Sequence, residues 1–161
     1  MTAITCAGAP IHDTTWHSVN WRKAIRTVRR LQVRIVKAMK AGRWNKVKVL
    51  QRLLRCSFSS RVLAVKSAQR APAENQGKQT AGIDNVLWDT AEKKLQGVKE
   101  LNNRGYRAQP LRRVYIPKKN GKLRPLGIPT MFDRAKQAQH LLALEPVAET
   151  TGDPNSYGFR A

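Results

Sequence analysis

From Trp21 to Leu101, one loop aside, apolar residues recur every three or four positions, and from Leu111 to Pro129 they recur every two. That change of period is the tightest restriction on the fold, because a 3.6-residue pattern buries one face of a helix and a 2-residue pattern one face of a strand. The chain is therefore predicted to be α+β and mainly helical, with a small antiparallel sheet near its end. Trp21, Ile25, Val28, Leu31, Ile35 and Met39 form the first inward stripe, with Asn20 as cap and Gly42 as stop. Arg22, Arg26, Arg29, Arg30, Arg34 and Lys37 occupy the other face. Trp44, Val47, Leu50 and Leu54 form a second stripe, and Ser59 or Ser60 is the predicted cap of a third helix. Pro72, Gly77 and Gly82 mark a loop over 71–87. Asp89 and Glu92 then resemble a capping box opening a fourth helix, with Leu95, Val98 and Leu101 inward and Gly105 as its stop.

The strand-like stretch places Arg112, Val114 and Ile116 on one face and Leu111, Arg113 and Tyr115 on the other. Asn120-Gly121 predicts a type I′ hairpin turn, and Pro125 puts the return strand at an edge. A last helix follows, with Phe132, Ala135, Ala138, Leu142 and Val147 inward, Asp133 as a cap, and Pro146 ending or kinking it.

Charge narrows the function. Thirty-one Lys and Arg face ten Asp and Glu, a net charge of +21 with pI near 11.2. Such an excess repels itself and is offset by a polyanion, for which nucleic acid is the first candidate. The 41% hydrophobic content suffices for a core. Two cysteines, Cys6 and Cys56, make no disulfide framework, and no run of apolar residues is long enough to span a membrane. The first ten residues lack a signal-peptide pattern, so a cytoplasmic location is expected. His12, His17, His140 and the cysteines show no zinc-ligand spacing, so no metal is assigned to this chain. Trp21 and Trp44, at helical spacing, are expected in the core, and Trp88 as a staple.

Lys118 and Arg124 flank the Asn-Gly turn on opposite arms. Two cations so held could grip a triphosphate, but from these residues alone general contact with a sugar–phosphate backbone is the favoured reading. "YIPKKNGKLRPLGIPTMFDRAKQ" (115–137) resembles the first conserved block of the reverse transcriptases encoded by group II introns, "LEPVAE" with "DPNSYGFR" their second, and "NQGKQTAGIDN" (75–85) their additional N-terminal block. The resemblance covers residues 15–161. It implies an RNA-directed DNA polymerase and maturase in which Lys118 and Arg124 hold the incoming nucleotide's triphosphate. It implies that Gly77, Lys78, Thr80, Gly82 and Asp84 lie against template and primer, and that Lys119, Lys122, Arg134, Tyr157 and Arg160 contact template or RNA. For Arg134 it implies a second role as well, holding the fingers together. The basic face from Arg22 to Lys37 would hold intron RNA. The DNA primer and a separate palm-bearing polypeptide are further implied partners.

The metal site departs from the family pattern. The acids are Asp13, Glu74, Asp84, Asp89, Glu92, Glu100, Asp133, Glu145, Glu149 and Asp153, and none forms the carboxylate pair that holds two Mg²⁺ ions. Mg²⁺ is thus expected in the complete enzyme and not in this chain, which is expected to be inactive alone. The predicted organisation is a leader at 1–15, a helical domain at 16–105 and a partial fingers subdomain at 106–161 that stops before the palm. Three forms fit: a truncated reading frame, half of a split enzyme, or a stand-alone RNA-binding module. A basic ribosomal-type RNA-binding protein is the alternative outside the family.

Overall fold

The computed structural model describes residues 15–69, 80–101 and 105–153. The described chain is mainly helical, with one two-stranded antiparallel sheet. Helix α1 spans Trp21–Lys40, α2 Trp44–Cys56, α3 Phe58–Ala68, α4 Ala91–Glu100 and α5 Met131–Thr151. Strands β1 (Arg112–Pro117) and β2 (Leu123–Ile128) lie between α4 and α5.

Asn20 caps α1 as predicted, its side chain accepting from Lys23 N. The helix closes in a Schellman motif: Arg43 N donates to Ala38 O and Gly42 N to Met39 O, with Gly42 at φ +65°. The buried stripe is Ala24, Val28, Ile35, Ala38 and Met39. Ile25, placed inward by its spacing, is 39% exposed, because Ala24 takes the core position and turns Ile25 to the flank. Trp44 is also corrected. Val47, Leu50 and Leu54 face the core, whereas Trp44 is 55% exposed. Six residues from Leu50, it lies about a third of a turn off that direction.

Ser57, not Ser59 or Ser60, caps α3, accepting from Ser60 N. Thr90, not Asp89, caps α4, accepting from Lys93 N, while Asp89 pairs with the Lys93 ammonium at 2.8 Å. Thr130, not Asp133, caps α5. The same physics decides each case: the residue with extended backbone just before the first turn offers its hydroxyl, whichever neighbour could also serve.

Two apolar clusters make the core. One holds Val62, Val65, Trp88, Val98, Leu101 and Met131, and the other Val28, Ile35, Val47, Leu50, Leu54 and Ala143. Each fully buried aliphatic side chain contributes about 1.5–3 kcal/mol. Trp88 is core, its indole lying over Gly97, where a Cβ would sit 2.7 Å from the ring. Helix α5 packs on α1, α2 and α3 and enters both clusters.

Pro146 neither ends α5 nor leaves an orphan carbonyl. The helix runs on to Thr151. Proline lacks the N–H that would reach Leu142 O, and Gln32 Nε2 of α1 donates to that oxygen at 3.0 Å. Gln51 Nε2 of α2 donates to the next carbonyl, Ala143 O, at 3.0 Å. The two glutamines serve the backbone where the proline interrupts it.

Candidate nucleic-acid interface

The hairpin stands in solvent. From Leu111 to Gly127 every residue is exposed except half-buried Val114. Strand register pairs Val114 with Leu126, Tyr115 with Pro125 and Ile116 with Arg124. Alternation then sets Arg112, Val114, Ile116 and Lys118 on one face with Ile128, Leu126 and Arg124. Lys118 N donates to Lys122 O at 2.8 Å, so Lys118 lies opposite Lys122 and diagonal to Arg124 on that face. Lys119 and Lys122 are exposed at the tip. The turn is not type I′. Gly121 N donates to Lys118 O, and of the turn residues only Gly121, at φ +73°, has positive φ. This is the three-residue loop in which a tight turn is followed by a left-handed glycine bulge. Asn120 Oδ1 accepts from Lys122 N at 3.3 Å and steadies the bulge.

Behind the hairpin, the loop before α4 is fastened to the start of α5. Arg134 Nη2 donates to Thr80 O at 2.6 Å and its Nε to Pro129 O at 3.1 Å. A Cβ on Gly82 would lie 2.6 Å from Thr130 Cα and 2.8 Å from Thr130 N, so glycine is required there by close approach, not by φ. Asp84 Oδ1 accepts from Val86 N, and Asn85 takes φ 54°. Arg134 is therefore half-buried, with its guanidinium engaged on the protein backbone. Burial lowers its pKa, with Asp84 opposing.

Two interior features have no local signal in the sequence. Asp133 is 4% exposed and accepts from the Tyr106 and Thr130 hydroxyls, with Gln109 N at 3.4 Å. Thr130 Oγ1 in turn accepts from Asp133 N, which closes the set. Burial, then Asp133, raises the Tyr106 phenol to about 12. This network lines an open cavity of about 500 Å³ with Asp84, Glu100 and Phe132. Lys136 is 2% exposed, with its ammonium 5.3 Å from the Tyr106 ring and 5.7 Å from that of Phe132. Burial, then Arg55 and Arg61, lowers it to about 8. Burial, then Arg55 and Lys136, also lowers His140. The aromatic pair Tyr106–Phe132 joins residues from separate parts of the chain, so no local pattern reveals this set.

Helix α1 presents a cationic surface. Arg22, Arg26, Arg29, Arg30, Arg34 and Lys37 are basic along its length, and none is in an ion pair among the described residues. The helix carries no acid at all. Arg22, Arg26, Arg29, Arg30 and Arg34 border an open trough of about 710 Å³ floored by Ile25 and Val33. The structure thus keeps the predicted basic face together and adds an apolar floor. The hairpin cations form a second, separate group. Gly77, Lys78, Tyr157 and Arg160 lie outside the described residues, as does the 1–14 part of the leader. Among the described residues no group of three or more His, Cys, Asp or Glu side chains could hold a metal, and no helix is long and apolar enough to cross a membrane.

The sequence of this chain is similar to those of known proteins. The family described as the N-terminal domain of reverse transcriptase matches residues 16–101. Protein YkfC of Escherichia coli (strain K12) is 44% identical over 116 residues, covering 69% of this chain and 30% of the relative. Group II intron-encoded protein LtrA of Lactococcus lactis subsp. cremoris is 40% identical over 89 residues, covering 53% of this chain and 15% of the relative. The chain belongs to the reverse transcriptase N-terminal domain family, on its group II intron side. It spans less than a third of the length of these curated relatives.

Proposed function

We propose that this chain is the RNA- and nucleotide-handling front of a group II intron-type reverse transcriptase and maturase. The observation that carries the reading is the α1 face: Arg22, Arg26, Arg29, Arg30, Arg34 and Lys37, six of the helix's eight Lys and Arg, on a helix without one acid. Phosphate neutralisation with counterion release favours RNA on such a surface. The hairpin is the second working part. Lys118 and Arg124 share a face at its tip and suit the triphosphate of an incoming deoxynucleotide, lysine as a point charge and arginine as a fork. Fixed cations there stabilise charge that develops during phosphoryl transfer. The loop containing Thr80, Gly82 and Asp84, with Gly77 and Lys78 before it, lies beside template and primer. Arg134 serves it by fastening Thr80 to the hairpin's base.

Two Mg²⁺ ions, held by palm carboxylates, would supply the nucleotide-joining chemistry. The palm, whether a further part of the same protein or a separate polypeptide, is part of the proposal. The exposed apolar residues Tyr115, Ile116, Leu123 and Leu126 on the hairpin are surface for it to cover.

The test uses a group II intron RNA and this chain with Arg22, Arg26, Arg29 and Arg30 changed to Gln. Affinity falling at least about tenfold supports the reading, and unchanged affinity removes α1 from it. Lys118→Ala with Arg124→Ala, made in a palm-bearing relative, should raise the nucleotide KM more than it weakens template binding. Equal loss of both would move these side chains to a phosphate-backbone role.

A further inference from the structure

On a helix, residues four apart stand in a row along one side. Arg22, Arg26, Arg30 and Arg34 make one such row on α1, exposed cations with about 6 Å of rise between neighbours. Ile25, Arg29 and Val33 make the row beside it, with an apolar side chain on either side of an arginine. The two rows together line the trough of about 710 Å³. Arginine stems can cover nearby apolar surface, yet Ile25 is still 39% and Val33 53% exposed with those stems in place. Val28 and Ile35, on the inner side of the helix, are buried. Helix α1 is thus apolar on two sides, and only the inner one is covered by described residues.

Cations and floor call for different partners. Phosphates match the arginines and leave the floor wet, because a charged oxygen gains nothing against a branched aliphatic side chain. Both are satisfied only by a ligand that presents apolar surface together with phosphates. A-form duplex RNA does not, since its bases are stacked inside and it offers phosphates and 2′-hydroxyls to a protein surface. An unpaired strand does, because its bases turn out from a backbone whose phosphates recur on the scale of the arginine row. A lipid surface also joins anions to apolar groups, but it requires a continuous apolar face, and Arg29 divides this one.

We propose that the α1 trough takes RNA in single-stranded form, with the arginine row along the backbone and Ile25 and Val33 against the bases of unpaired nucleotides. Arg29, between them, serves a base through its planar guanidinium. The inference rests on the reading of α1 as an RNA surface and narrows that surface to loops, bulges and single-stranded ends. Affinity then has two parts. One depends on salt and is set by the phosphates neutralised. The other is independent of salt and comes from the floor.

Binding of the whole chain is measured to three probes: an unstructured RNA oligonucleotide, a blunt duplex of the same sequence, and the oligonucleotide with abasic sites, which keep every phosphate. Ile25→Ala with Val33→Ala should weaken binding of the unstructured strand about fivefold. The salt slope should not change, because no phosphate contact is lost. Duplex affinity should not change either. Abasic sites should weaken binding to the unaltered chain by a similar factor and have little effect on the alanine variant. Alanine favours helix, so an unchanged Tm shows that the fold is kept. Strand affinity untouched by the alanines, equal losses for strand and duplex, or abasic sites that cost both proteins the same would each overturn the inference. The variant with Arg22, Arg26, Arg29 and Arg30 changed to Gln tells two failures apart. Strand affinity lost there but kept in the alanine variant overturns this inference alone, and strand affinity kept in both overturns the α1 reading with it.

Discussion

Gly82 and Arg134 act as a pair. Gly82 lets the loop lie on the Thr130 backbone, and Arg134 ties Thr80 to Pro129. Gly82→Ala forces its Cβ into backbone atoms that cannot give way as a flexible side chain would. It should cost about 1–3 kcal/mol in urea unfolding and speed amide exchange at residues 80–86 more than in α2. A cost near zero would show that the loop sits elsewhere. Lys136 and Tyr106 make a second prediction, through pH. Folded Lys136 loses its proton near pH 8 and the unfolded side chain near 10.5. Between those values the unfolded state holds more protons, so stability rises with pH. Tyr106 has the opposite effect: its folded phenol keeps its proton to about 12 against 10.0 unfolded, so stability falls across that interval. Urea midpoints should climb from about pH 8 to about 10 and drop beyond, and Lys136→Met should flatten the climb. An equal climb in the variant would assign it to other groups. Little of this was legible in the sequence. The resemblance left Arg134 between template and a bracing role. Nothing near Lys136 predicts its burial, because its neighbours Tyr106, Arg55 and Arg61 are far away in the chain.

Among the elements, the strong periodicities were readable and their edges were not. Val28, Ile35, Met39, Val47, Leu50 and Leu54 are inward as their spacing requires. The caps moved by a few residues wherever adjacent Ser, Thr and Asp could each serve, since backbone conformation makes that choice. The two strands were legible in their alternation, while turn type and register were not: a type I′ turn at Asn120-Gly121 would pair Lys119 with Lys122, whereas the bulged three-residue loop pairs Lys118 with Lys122. Gly121→Ala, at φ +73°, should cost the hairpin about 1 kcal/mol, seen as faster exchange in β1 and β2 with α1–α3 unchanged. Pro146 read as ending or kinking the helix, and it does not end it, because local rules cannot see Gln32 and Gln51 on other helices. Gln32→Ala should cost about 1 kcal/mol, the penalty for a part-buried carbonyl left without its protein donor. In a Pro146→Ala background Leu142 O regains a helical partner, so the same change should cost clearly less. Additive costs would show that the glutamine does not serve that carbonyl.

At the scale of the molecule, net charge and the change of hydrophobic period determined most of what could be read: a mainly helical chain, a basic partner surface and an exposed hairpin. The structure places cations along α1, on into the turn before α2, and at the hairpin tip, an arrangement that composition cannot express. The proposed RNA role depends on the first of these. Its most direct test is the salt dependence of binding to a group II intron RNA, compared between the unaltered chain and the variant with Arg22, Arg26, Arg29 and Arg30 changed to Gln. Each neutralised phosphate on a single strand contributes about −0.7 to the slope of log K against log salt. Without those four arginines the slope should be shallower by roughly 3, and binding should weaken most at low salt. Identical slopes and affinities for the two proteins would contradict a role for α1 in holding RNA.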